Sequence, residues 1–233
     1  MRRIGNYNKT GLNPYKIKLN MNKSIAEVNG DDKRVLIVAF GGSQCFLGEG
    51  CMKMPRAIIP FEFMRILTRL FPNYDKKFIV DLNQCWYHKG IKGVTTNISE
   101  TKDYLEKIIS GYEKVVFIGT SSGGYAAILF GSLLNIWKVI AFIPQTILTR
   151  ENLDEKYKNI KNVINKTTLY HVYGDTSFKD KNNIHHISHV ENISEFENVH
   201  IVKKNVLSLP AMRDSGELDE LFLSLIEGDK APF

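Results

Sequence analysis

The chain has only three cysteines, Cys45, Cys51 and Cys85, in 233 residues. They form neither a Cys-x-x-Cys pair nor an even-numbered framework, so a disulfide scaffold is not expected and a reducing compartment suits them. A long apolar run is also missing. The N-terminus opens Met1-Arg2-Arg3 and continues through Asn6, Asn8, Asn13 and Lys16 without an apolar core, and no later stretch approaches the length of a membrane span. The expectation is a cytoplasmic protein with no membrane span. No Gly-x-x-x-x-Gly-Lys-Ser/Thr or Gly-x-Gly-x-x-Gly string is present, which removes the two common nucleotide cradles. No internal repeat, low-complexity tract or linker breaks the chain, so one domain over residues 1–233 is expected. The balance of 31 Lys and Arg against 25 Asp and Glu gives a net charge of +6. The cations are scattered rather than gathered in a stripe, so nucleic acid is not the expected partner. Encounter with an acidic glycan is still favoured by the charge.

What is present is an alternation of short apolar runs with longer amphipathic stretches. Strands are predicted at residues 35–40, 77–82, 114–118, 137–142, 168–173 and 199–203. Helices are predicted at 60–70, 99–110, 123–134, 151–162, 183–194 and 215–226. Nearly continuous apolar strands separated by helices specify an α/β fold: a three-layer sandwich with a mainly parallel central sheet and helices on both faces. The polar segment 1–32 predicts a β-hairpin, with arms at 15–19 and 24–28.

The segment Lys114-Val115-Val116-Phe117-Ile118-Gly119-Thr120-Ser121-Ser122-Gly123-Gly124-Tyr125-Ala126-Ala127 carries the chemistry. An apolar strand runs into Gly-x-Ser-x-Gly-Gly and then into a helix of small residues, the pattern of a nucleophile elbow. The turn must project the Ser121 hydroxyl above the sheet, so the residues two before and two after it must be small. A glycine-rich turn that only packs or holds a phosphate is the plainer alternative. An oxyanion hole is expected from the backbone N–H of Gly41 or Gly42, in the loop after strand 35–40, together with that of Ser122; a tight turn requiring glycine would select the same residues. The acid is expected after strand 168–173, as Asp180 or Asp175.

The base is harder to place. No histidine follows Lys204, where a hydrolase of this kind usually keeps one. His171 and His200 alternate with apolar neighbours inside strands, which leaves His189 and His186 as candidate bases. His185 and His189 share a four-residue spacing, but no third ligand accompanies them, so no metal and no cofactor is expected. Trp86, Tyr87 and His88 follow strand 77–82 at the edge where substrate loops gather, and are candidates for stacking on a sugar; a packed loop that anchors the sheet is the equal alternative.

Six strings in order, Val35-Leu36-Ile37-Val38-Ala39-Phe40-Gly41-Gly42, Pro60-Phe61-Glu62-Phe63, Asp81 to Gly90, the Ser121 elbow, Ala141-Phe142-Ile143-Pro144-Gln145-Thr146 and Arg213-Asp214-Ser215-Gly216-Glu217-Leu218, resemble an α/β-hydrolase-like family. Members of that family are associated with, or fused to, enzymes that build surface polysaccharides. The resemblance implies a serine esterase or O-acyltransferase acting on a small acyl ester, acetyl on a glycan hydroxyl being the natural case, through an acyl-Ser121 intermediate. Polysaccharide-biosynthesis enzymes are the implied partners. In related sequences a Gly-His pair precedes the segment matching 213–218, whereas this chain has Lys204-Asn205-Val206-Leu207-Ser208-Leu209-Pro210. The competing expectation is therefore a hydrolase fold without its base, binding a glycan or a biosynthetic partner.

Overall fold

The computed structural model describes residues 17–18, 24–42 and 61–228. Eight strands, β1 (Ile17–Lys18), β2 (Ile25–Val28), β3 (Asp32–Gly41), β4 (Tyr74–Val80), β5 (Lys114–Thr120), β6 (Lys138–Phe142), β7 (Leu169–Asp175) and β8 (Val199–Lys204), form one sheet. Their order is β1-β2-β4-β3-β5-β6-β7-β8. From β4 to β8 every neighbouring pair is parallel, and β1 and β2 run antiparallel at one edge. The α/β architecture read from the sequence is the one observed.

Alternation along β3 shows why both faces are covered. Leu36, Val38 and Phe40 pack with Phe117 and with the helix α3 (Ser122–Leu134), while Ile37 and Ala39 join Val116, Ile118 and Ile140 on the opposite face. Successive strand residues point to opposite sides, so a strand that is apolar throughout must be buried on both. The first face is closed by α2 (Ile98–Ile109) and α3. The second is closed by α1 (Met64–Leu70), α5 (Leu209–Ser215) and α6 (Glu217–Glu227). Helix α3 is buried along almost its whole length, from Ser122 to Ser132.

Several helices differ from the sequence expectation for identifiable reasons. The stretch 151–162 forms two short 3-10 turns, Glu155–Tyr157 and Ile160–Val163, because the side chains of Asp154 and Asn159 accept the N–H of Lys156 and Lys161. Such local side-chain bonds compete with a continuous helix. In 183–194 only α4 (Ser188–Glu191) is α-helical, and His186 Nδ1 accepts the Ser188 N–H just before it. The expected helix 215–226 is α6, preceded by a separate α5; Gly216, at φ 86°, ends one and starts the next. The expected helix start at Pro60 lies outside the described residues, and α1 begins at Met64, after Phe63 in a left-handed conformation.

The elbow is built by close backbone approach. A Cβ on Gly119 would lie 2.1 Å from the Gly123 carbonyl oxygen, and one on Gly123 would lie 2.1 Å from the Phe40 carbonyl oxygen. Neither contact can relax by rotating a side chain, because both partners are main chain. Gly123→Ala is therefore expected to destabilise the protein by about 3 kcal/mol. A denaturant midpoint within experimental error of the unmodified protein would show that α3 is not pressed against β3 in this way.

Candidate active site

Ser121 sits between β5 and α3 with φ 55° and ψ −118°, a left-handed backbone on a residue that has a Cβ. Residues in such conformations are held by their surroundings and cluster at functional sites. Here the surroundings are explicit. Ser121 N–H donates to the Phe142 carbonyl at 2.9 Å, and Tyr125 N–H donates to the Ser121 carbonyl at 2.9 Å. The β5 strand thus delivers the side chain to a bend whose shape is fixed from both sides.

The group facing it is His185. Its Nε2 lies 2.9 Å from Ser121 Oγ. His185 follows β7 on the segment leading to α4. Its backbone N–H donates to Asn183 Oδ1 at 2.8 Å, and its ring packs against Phe178 with centroids 5.7 Å apart. Burial lowers the imidazole pKa, and the charge of Asp175 opposes that shift. The ring is accordingly neutral at pH 7, the state in which a nitrogen can accept a proton.

Asp175, the last residue of β7, is buried. Its carboxylate accepts the Ser177 N–H at 2.7 Å and the Leu207 N–H at 2.8 Å. Burial alone would raise its pKa, but hydrogen bonds from Ser177 and Leu207 outweigh it and keep the carboxyl below the usual range. Asp180, by contrast, is exposed and accepts the N–H of Asn182 in a surface turn.

The structure therefore brings together Ser121, His185 and the region of Asp175, and it leaves His186 and His189 elsewhere. His186 Nδ1 is bonded to the Ser188 hydroxyl at 2.9 Å. His189 Nδ1 accepts the Ile147 N–H at 3.3 Å, and its carbonyl accepts the Thr146 hydroxyl. From the sequence, His189 and His186 are the candidate bases and His185 is weighed only as a metal ligand beside His189; the imidazole that meets Ser121 Oγ is His185. Ser121, Asp175 and His185 follow one another in the chain order expected of nucleophile, acid and base.

On the oxyanion side, Gly42 lies against the elbow: a Cβ there would be 2.9 Å from the Thr120 carbonyl oxygen and 3.6 Å from Ser121 Cβ. Its N–H donates to Glu62 Oε2 at 3.1 Å. Burial raises the Glu62 pKa, countered by the bond from Gly42. Gly41 ends β3 in register with Val80, and its carbonyl accepts the Tyr87 hydroxyl at 2.9 Å. Ser122 is buried at the first position of α3, where the helix dipole favours negative charge.

The loop after β4 divides the three aromatic candidates. Asp81 is its organiser: one carboxylate oxygen accepts the Asn83 N–H at 2.9 Å, and the other accepts those of Cys85 at 2.6 Å and Tyr87 at 3.0 Å. These bonds hold Gln84, Trp86 and Tyr87 at positive φ. Tyr87 is fully buried, with its hydroxyl bonded to the Gly41 and Ile79 carbonyls, so it cannot stack on a ligand. His88 is buried too. Its Nδ1 accepts the Asp154 N–H at 3.0 Å and its Nε2 meets the Tyr125 hydroxyl at 2.9 Å. Both side chains fasten the loop to the core, which corrects the expectation that they contact substrate. Trp86 lines the groove beside residues 145–150 and 181–189, its indole N–H donating to Gln145 Oε1, while His88 borders a separate groove with Asn97 and Tyr157.

Among the described residues no helix is long and apolar enough to cross a membrane, and no group of three or more His, Cys, Asp or Glu is arranged to hold a metal ion.

A parallel sheet with a serine on a strained strand-to-helix turn is the α/β-hydrolase fold, and solved structures share it. The capsule O-acetyltransferase of Neisseria meningitidis serogroup A superposes with a TM-score of 0.55 at 16% identity, covering 94% of this chain and 97% of that one. A fluorophosphonate-binding serine hydrolase of Staphylococcus aureus gives 0.54 at 12% identity, over 88% and 92% of the two chains. A lidless α/β serine hydrolase of Xanthomonas campestris gives 0.52 at 12% identity, over 95% and 99%. By sequence, no protein-family model and no curated protein matches the chain.

Proposed function

We propose that the protein is a serine-dependent esterase or O-acyltransferase that moves a small acyl group, acetyl on a glycan hydroxyl being the best fit, through an acyl-Ser121 intermediate. The observation that carries the reading is the 2.9 Å contact between Ser121 Oγ and His185 Nε2. His185 takes the hydroxyl proton as Oγ bonds to the acyl carbonyl carbon. It then returns that proton to the departing atom, the alcohol oxygen of an ester or the sulfur of an acyl-CoA thioester, as the C–O or C–S bond breaks. Asp175 stabilises the imidazolium that forms between these events. The N–H groups of Gly42 and Ser122 receive the developing oxyanion, Gly42 by exchanging its bond to Glu62 for one to the substrate. Water as the second acceptor gives an esterase, and a sugar hydroxyl gives a transferase. A variant of the meningococcal capsule O-acetyltransferase has been solved in complex with CoA, and another structural neighbour belongs to a glycosylation-associated complex from Streptococcus agalactiae. The first supports acyl-CoA as donor and a glycan as acceptor, and the second supports glycan-assembly proteins as partners.

A second reading has one observation in its favour. The Glu62 carboxyl on the Gly42 N–H occupies a donor that acyl chemistry requires, as it would in a module that binds a glycan without turning it over. A fluorophosphonate probe separates the two. The catalytic reading expects one adduct per chain, on Ser121, absent from Ser121→Ala. If the intact protein stays unlabelled from pH 6 to 9 while folded, the binding module is the better account.

A further inference from the structure

The acyl chemistry leaves unused a groove between the Trp86 loop, residues 145–150 and the segment 181–189, with a volume of about 410 Å³. We propose that this groove is a subsite for a sugar residue bearing a negative charge, a carboxylate or a phosphate, on the substrate presented to Ser121. The inference rests on the acyl-Ser121 reading above. Its volume lies within the range of small-molecule sites. Its apolar lining includes Trp86, Ile147, Leu148 and Ile184, and the two isoleucines are 39% and 56% exposed. Branched apolar side chains left this open beside an indole offer a face that the C–H side of a sugar ring can cover.

The charge on the lining has one sign. Among the described residues, Arg150 and Lys181 belong to it and no Asp or Glu does. Neither cation forms an ion pair with a described residue. Their acidic chain neighbours, Glu151 and Asp180, are exposed and lie outside the lining. His189, the one imidazole in the groove among the described residues, has its pKa lowered by burial and adds no positive charge at pH 7. Arg150 is held in place beforehand: one guanidinium nitrogen donates to the Gln84 carbonyl at 2.7 Å, and the group lies over the Trp86 ring, 5.7 Å from its centroid. A guanidinium has five N–H donors, so a planar fork remains for a carboxylate or phosphate. Gln145, bonded to the Trp86 indole, fixes the ring on the other side.

Position ties the groove to the reaction. Ile184 in its wall is the residue before His185, and His189, also in the lining, is close enough to feel the charge of His185, so the groove flanks the Ser121–His185 pair without including it. An anion anchored by Arg150 and Lys181 would orient the ring, and acyl transfer would follow at a neighbouring hydroxyl.

Titration calorimetry with the full-length protein tests this, using a glucuronate-containing tetrasaccharide, glucose 1-phosphate, neutral cellotetraose and inorganic phosphate. At least one of the two anionic sugars should bind about tenfold more tightly than cellotetraose, which corresponds to one partly exposed ion pair. Arg150→Gln and Lys181→Gln should each remove most of that preference, and thermal unfolding should show both variants folded. Preference for the tetrasaccharide assigns a carboxylate, and preference for the sugar phosphate assigns a phosphate. Equal affinity for the neutral and anionic sugars, variants that bind like the parent, or inorganic phosphate binding as tightly as the tighter of the two anionic sugars would each overturn the proposal. The acyl reading fails separately: anionic sugars would still bind through Arg150 and Lys181 in a protein whose Ser121 takes no fluorophosphonate.

Discussion

His185→Ala should lower kcat/KM for a small acetyl ester, and the rate of fluorophosphonate labelling, roughly a thousandfold, with the fold intact. The effect is this large because an unassisted serine hydroxyl is a poor nucleophile at neutral pH, and His185 is the imidazole in contact with Ser121 Oγ. His186→Ala should cost less than tenfold, since that ring is bonded to Ser188 and does not reach the site. The pH profile gives a second readout. Burial holds the His185 pKa below its ordinary value of 6.5, so the neutral ring persists as the pH falls and the acid limb of kcat/KM should lie below 6.5. Asp175→Asn removes the charge that raises this pKa, and should move the acid limb further down while slowing the reaction. A His185→Ala protein that is labelled at the parent rate, or a His186→Ala protein that is equally crippled, would place the base elsewhere.

The fold was legible from residues whose environment leaves no choice. Val35 to Phe40 carries no polar side chain, which only a strand buried on both faces permits, and Gly119, Ser121 and Gly123 admit few turns besides an elbow. Helix boundaries were less legible where a single side chain decides them, as Asp154 and Asn159 do for the two 3-10 turns. The site was half legible. Ser121 is fixed by its local sequence, but the histidine is chosen by how the segment after β7 folds back over the elbow. His185 and His186 differ by one position, and composition assigns neither to the site. The structure separates them through Asn183, which captures the His185 N–H, and Ser188, which captures the His186 ring. Trp86, Tyr87 and His88 taught the same lesson. Three adjacent aromatic rings looked equivalent, and the Asp81-centred turn buries two and presents one.

Acid should unfold the protein through two histidines remote from the proposed chemistry. His88 and His171 are both buried, and burial is the main reason their pKa values are pushed down from 6.5 to about 4. Around His88, the charge of Asp154 opposes the shift and that of Lys158 adds to it. Its Nδ1 already accepts the Asp154 N–H, so a proton there would set two donors against each other. His171 faces two groups that resist a new positive charge, Lys138 and the stacked ring of His200, 5.3 Å away. Among the described residues its Nε2 has no hydrogen-bond partner in reach to receive a proton. A folded-state pKa below the unfolded one means that the unfolded chain binds more protons. The stability contributed is therefore complete above pH 6.5 and is lost as the pH falls toward 4. Each group is worth about 3 kcal/mol by pH 4, a large share of the stability of a domain this size. Urea unfolding followed between pH 7 and 4 should show the midpoint falling steeply below 6.5. In His171→Leu, which keeps the core filled and removes the titration, the slope should drop by about half. Parallel curves for parent and variant would mean that His171 finds a proton acceptor on protonation, and that the strand pair β7 and β8 tolerates the charge.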